Sequence, residues 1–184
     1  MGEIMVLAKQ RSQTAEGDEP AIAEAAGQLV QLFGGLRGKT RRRRSAAAEQ
    51  PYRNFLEALG VAVYTTDAAG RITFFNEAAA AFWGRRPELG EEWCGSSRLF
   101  WSDGTAMRHD ECPMAIALQE NRSVRGYEAI AERPNGERVS FVPYPTPLRD
   151  SDGQLIGAVN VLVDVTERKK AEDALRATAD ALHV

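Results

Sequence analysis

The residues with the most chemical potential lie in one short stretch, Arg108-His109-Asp110-Glu111-Cys112-Pro113. It holds one of the chain's two histidines and one of its two cysteines, His109 and Cys112. An imidazole and a thiolate this close together can ligate a metal or offer an axial ligand to haem. A structural zinc wants four ligands. The only further Cys and His are Cys94 and His183. Even with Asp110 or Glu111 as substitutes the set is unlike Cys-rich zinc spacings, so no metal is expected. The plainer reading is a helix start. Asp110 caps, Glu111 complements the helix dipole and Pro113 falls in the first turn, where it forfeits no intrahelical bond. Met114, Ile116, Ala117 and Leu118 then become core or pocket lining. Catalysis has little support: phosphate loops of the GxGxxG or GxxxxGK type are missing, and no nucleophile–base–acid set is visible. His183 as a kinase phosphoacceptor would need a nucleotide-binding half that the sequence does not contain.

The surrounding chain bounds what these residues can serve. Its 184 residues are 43% hydrophobic and 27% charged with net charge -3, the profile of a globular domain with extensions rather than an electrostatic nucleic-acid binder. Two cysteines suggest a reducing compartment. No apolar run reaches a membrane span, and the N-terminus is a poor signal peptide, so the expected location is cytoplasmic.

Residues 1–17 are polar and aperiodic, and disorder is expected there. Residues 18–37 form an amphipathic helix, with Asp18 and Pro20 at its start and Ile22, Ala26, Leu29, Val30, Phe33 and Leu36 along one stripe. A basic linker, 38–51, carries Arg41 to Arg44. A domain follows over 52–166. It opens with a short helix and two strand-like runs around Gly70, and Asn76 then caps a helix ended by Gly84. The segment from Arg85 to Glu111 reads as loops and single turns, and a helix begins near Cys112. Three strands come next. The first two are joined at Asn135-Gly136, and the second is made irregular by Pro143, Pro145 and Pro147. Residues 167–184 form a charged exit helix with a short Ala171, Leu175, Thr178, Leu182 seam.

Two blocks carry a family resemblance: "YTTDAAGRITFFNEAAAAFWG", and "GERVSFVPYPTPLRDSDGQLIGAVNVLVDVTERKKAEDALR". Together they resemble a PAS sensory domain. The resemblance implies an α+β fold with a five-stranded antiparallel sheet and helices on one face. It also implies a hollow that can hold a ligand and an exit helix that couples it to an output. The candidate pocket is Trp93, Arg98, His109, Cys112, Met114, Leu118, Tyr127, Phe141 and Asn160, with an internal salt bridge from Arg98 to Asp110 or Glu111 as the structural alternative. Cofactor identity stays open. The leading expectation is that none is bound; haem through His109 or Cys112 is the alternative, ahead of flavin. Flavin is disfavoured, because "WCGSSRLFW" lacks the Asn, the adjacent Arg and the Gln of light-sensing relatives, although Cys94 sits near their reactive Cys.

The last strand, "LIGAVNVLVDV", is apolar on both alternations, Leu155, Val159, Val161 and Val163 against Ile156, Ala158 and Leu162. It is therefore expected to be covered on both faces, the outer one by helix 18–37 in cis or across a homodimer. The expected function is a non-catalytic sensory or interaction module that signals to its own dimer or to a partner such as a histidine kinase. A haem sensor, a fragment of a PAS-containing kinase or cyclase, and a regulator touching nucleic acid through Arg41–Arg44 are the alternatives. No membrane partner is expected, and no specific nucleic-acid binding.

Overall fold

A computed structural model of the chain describes residues 54, 56–58 and 60–181. The expectations for 1–17, 18–37 and 38–51, and for His183, lie outside the described residues.

The opening hairpin forms where β-branched and aromatic residues flank a turn. Strand β1 (Ala62–Asp67) pairs antiparallel with β2 (Ile72–Phe75) across a turn in which Gly70 has φ 81°. Helix α1 (Glu77–Trp83) follows at once. Asn76 starts it by accepting the Ala79 N–H, and Gly84, left-handed at φ 66°, ends it. Asn76 does more than cap. It also accepts from Val63 N and donates to Leu56 O and Val61 O, so one buried amide ties three segments together.

The segment expected to be loops is more ordered than its composition suggests. It contains β3 (Arg98–Trp101), β4 (Ala106–Met107) and a 3-10 turn (His109–Glu111). β3 lies beside β5 (Ala129–Glu132), and β4 pairs with β3 at the sheet edge. Leu99 and Met107 reach the core from this hairpin, which accounts for the apolar surplus. The expected capping by Asp110 is corrected: α2 (Pro113–Gln119) starts after Cys112 without a side-chain cap. Asp110 instead pairs with Arg108 inside the preceding turn. Pro113 does occupy the first turn.

Prolines break the middle strand as expected. β6 (Arg138–Pro143) and β7 (Thr146–Arg149) are separate pieces, and both pair with β8 (Leu155–Asp164). The sheet order is β2-β1-β8-β6-β5-β3-β4, with β7 also on β8. The α+β class and helix-covered antiparallel sheet hold. The count rises from five strands to eight short ones because the β3–β4 hairpin extends the edge and the middle strand is split.

β8 is apolar on both sides, but its faces do not follow one alternation. Ala158 and Leu162 face the helices, while Val159, Val161 and Val163 join a second cluster with Leu56 and Leu148. Leu155 and Ile156 are exchanged relative to strict alternation. A register shift opposite Leu148–Arg149 skips Ile156 and reverses the faces beyond it. Gly157 permits the bulge, since a Cβ there would lie 2.0 Å from the Thr66 carbonyl oxygen.

Helix α3 (Thr166–Ala181) leaves β8 directly and has no buried residue. Its base is held down. Thr166 Oγ1 accepts from Ser140 N, and Glu128 pairs with Arg168 at 3.0 Å and Lys169 at 2.5 Å.

Candidate functional site

Between sheet and helices lies a cavity of about 20 Å³. Tyr64, Trp83, Cys94, Ser96, Cys112 and Asn160 supply its polar and sulfur atoms, and Leu99, Met107, Met114, Phe141 and Leu162 its apolar walls. That volume holds a water molecule and little more.

The expected site residues divide into three groups. Cys112, Met114, Phe141 and Asn160 line the cavity. Leu118 is core, away from the lining. His109 and Trp93 sit on its outer side, along an open groove with Arg85, Glu91, Arg108 and Asp110. Two assignments are corrected. Arg98 points to solvent with its side chain 73% exposed and reaches Glu132 at 3.4 Å, so it bridges neither Asp110 nor Glu111. On β3 it alternates with the buried Leu99, which turns it away from the core. Tyr127 packs against Trp101, ring centroids 6.3 Å apart, beyond the cavity wall.

Among the polar lining residues, sequence reasoning missed Tyr64, Trp83 and Ser96, and weighed Cys94 only for zinc and flavin. A signal for Tyr64 was present. Asn160 is the one polar side chain in the middle of an apolar strand, and a buried amide needs partners. The β1–β8 register puts Tyr64 directly opposite Asn160. Asn160 Nδ2 donates to the Tyr64 hydroxyl at 3.2 Å, and that hydroxyl donates to the Trp93 carbonyl at 3.0 Å. Asn160 Oδ1 accepts from Tyr144 N at 2.9 Å, where β6 gives way to β7. Burial holds the Tyr64 phenol well above its ordinary pKa, so it stays a donor.

Beyond Trp93, whose N–H donates to Gly70 O at 2.7 Å, the loop Trp93-Cys94-Gly95-Ser96 is held by side chains rather than by a ladder. Tyr64 donates to Trp93 O, Arg85 Nε to Gly95 O at 2.8 Å, and His109 Nε2 to Ser96 O at 3.0 Å. A carbonyl can only accept, so Nε2 of His109 carries a proton. Trp93 has φ 69°, and Cys94 N donates to Glu92 O at 2.9 Å, which closes a strained γ-turn just before the cysteine. Gly95 lies flat on Trp83, where a Cβ would come within 2.5 Å of the ring. His109 is pushed up to about 9, first by a hydrogen bond with the Cys94 side chain and further by the Ser96 carbonyl, against the effect of burial. Burial pushes the Cys112 thiol up, so it remains protonated.

Haem and flavin do not fit these residues. The cavity is far too small for either ring system. His109 spends its Nε2 proton on Ser96 O outside it, and Cys112 is held as a neutral thiol. Among the described residues no group of three or more His, Cys, Asp or Glu side chains could hold a metal ion, and no helix is long and apolar enough to cross a membrane.

Antiparallel sheet, covering helices, interior cavity and exit helix together define a sensory-type α+β domain. The sequence model of the family described as PAS fold matches residues 56–170, more than half of the chain, and the protein belongs to that family. Among solved structures, an RNA-binding light-oxygen-voltage receptor is similar at TM-score 0.56 and 19% identity, over 79% of this chain and 42% of that one. This chain therefore spans less than half of that receptor. A PAS domain from Colwellia psychrerythraea is similar at TM-score 0.51 and 17% identity, over 65% of this chain and 98% of that one. The PAS domain of the fruit-fly ELK potassium channel is similar at 0.52 and 11%, over 67% and 99%. At these identities the likeness is one of fold. No curated protein matches the chain.

Proposed function

We propose that the protein is a non-catalytic sensory and interaction module that passes a state from its interior to α3, and from α3 to a second copy or a partner signalling protein such as a histidine kinase. The observation that carries this reading is the buried chain from Trp93 O through the Tyr64 hydroxyl to the Asn160 amide. It links the loop on the cavity's outer wall to β8, and β8 runs straight into α3. A shift of the loop therefore changes the hydrogen bonding of the strand that carries the output helix. The same geometry serves a stand-alone protein or one module of a larger kinase or cyclase.

Homodimerisation belongs to this proposal. The second apolar cluster, on the sheet face away from α1 and α2, is where the stripe of residues 18–37 would dock, in cis or from a second copy. Hydrogen exchange tests the relay in the full chain. Tyr64→Phe is expected to speed exchange both at the 92–97 loop and at residues 164–172. A change confined to the loop sinks the relay. Native mass spectrometry of the Leu29→Asp, Phe33→Asp double variant tests the dimer, and an unchanged assembly sinks that part alone.

A further inference from the structure

We propose that Cys94 is a peroxide-reactive thiol, with His109 as its acid–base partner. Four observations converge on it. First, Cys94, 8% exposed, lines both the outer groove and the inner cavity, so the residue stands between the two. Cys112 lines the cavity only and is 3% exposed. Second, His109 lines the same groove as Cys94, its Nε2–H is fixed on Ser96 O two residues further on, and the Cys94 side chain is the first cause of its raised proton affinity. An imidazolium beside a sulfur is the setting in which a thiol reacts as a nucleophile. Third, Arg85 places a second cation at the same loop through Gly95 O. The groove's other charges are Glu91, paired with Arg85, and Arg108, paired with Asp110, with Glu92 beside them. Tyr64 and Cys112, neutral at pH 7, face the sulfur from within. Fourth, the cavity behind Cys94 has room for about one oxygen atom, and Trp83, a lining residue 1% exposed, has an indole N–H with no acceptor. A buried donor left unpaired is costly, and an oxygen atom in the cavity would supply the acceptor.

The step balances. The Cys94 sulfur attacks one oxygen of hydrogen peroxide, an S–O bond forms and the O–O bond breaks. The departing hydroxide takes a proton from the imidazolium and leaves as water. Sulfur is oxidised by two electrons to the sulfenic acid, and the other peroxide oxygen is reduced to water. Two equivalents of a small-molecule thiol then restore Cys94: the first condenses with the sulfenic acid to a mixed disulfide and water, and the second attacks that disulfide, releasing the Cys94 thiol and the small-molecule disulfide. This chemistry does not depend on the relay to α3: capture is read at the sulfur and transmission at the helix, so each can fail without the other.

The test uses the full chain, hydrogen peroxide at one equivalent and dimedone as the sulfenic-acid trap, with the adduct mapped by mass spectrometry. Cys94 is expected to be trapped at least about tenfold faster than Cys112 and faster than either thiol of the urea-unfolded chain at the same pH. His109→Gln is expected to slow Cys94 by about tenfold at pH 7. If that variant folds poorly, the wild type decides. Iodoacetamide alkylation of Cys94 at pH 7 should likewise outpace that of Cys112 and of the unfolded-chain thiols. Equal trapping of the two cysteines, or alkylation of Cys94 no faster than that of the unfolded chain, overturns the proposal.

Discussion

The 93–96 loop and the β8–α3 junction are the two ends of one hydrogen-bonded chain, and they are built in opposite ways. The loop has no ladder. Three of its carbonyls, at Trp93, Gly95 and Ser96, each accept from a single side chain on a different element. The junction has a full antiparallel ladder on β8, a hydroxyl of Thr166 on Ser140, and two cations of α3 on Glu128. A loop held by separate side chains responds to chemistry at any one of them. A strand held by a ladder moves as a unit. The first arrangement suits an input and the second an output.

Four changes would sharpen or break that contrast, the largest first. Gly157→Ala puts a methyl carbon against backbone that cannot yield, at the bulge of the rigid end. It should cost about 3 kcal/mol or prevent folding, read by urea denaturation. A cost below about 1 kcal/mol would mean that β8 is softer than its ladder suggests. Tyr64→Phe removes the donor to Trp93 O and the acceptor of Asn160 at once. About 1–3 kcal/mol should be lost in the same measurement, because both partners stay buried. Glu128→Gln weakens two partly screened ion pairs. The expected loss is about 1 kcal/mol or less, with faster proteolysis of α3 and an unchanged melting curve for the sheet. Equal protection of α3 in both proteins would show that Thr166 alone secures its base.

The smallest effect is one of pH, at the loop. His109 has its proton affinity raised from the usual 6.5 to about 9 in the folded protein. The stabilisation is thus complete below about pH 6.5 and is lost as pH rises through 9. The difference in Tm between wild type and His109→Gln should therefore shrink over that window. A difference that grows with pH would mean that the imidazole is neutral when folded.

Local signals were readable wherever a residue acts on its own neighbours. Asn76 and Gly84 bound α1, Gly70 and Gly136 turn their hairpins, and Pro113 opens α2. The segment from Arg85 to Glu111 was not readable, because β3 and β4 are stabilised by pairing with β5 and not by propensity. The candidate site divides the same way. Cys112, Met114, Phe141 and Asn160 could be placed from the order of elements alone. Arg98 could not, because one register position decides whether a strand residue faces the cavity or solvent, and Tyr127 could not, because it lies in the connection before β5, outside any ladder.

By itself, then, the sequence determined the PAS-type order of strands and helices, their local starts and stops, and an apolar last strand that calls for cover on both faces. Turn, cap and periodicity are encoded within a few residues, so no distant contact is needed to specify them. Only the tertiary structure decided what surrounds His109, whose Nε2–H goes to Ser96 O in a groove shared with Cys94. The spacing in the chain pointed to Cys112, three residues on. The fold turns Cys112 inward as the start of α2 and brings in Cys94 from the far side of the β3–β4 hairpin. Proximity in sequence fixes which residues can share a helix. Proximity across a packed loop is set by the side chains that hold it, and those come from everywhere else in the domain.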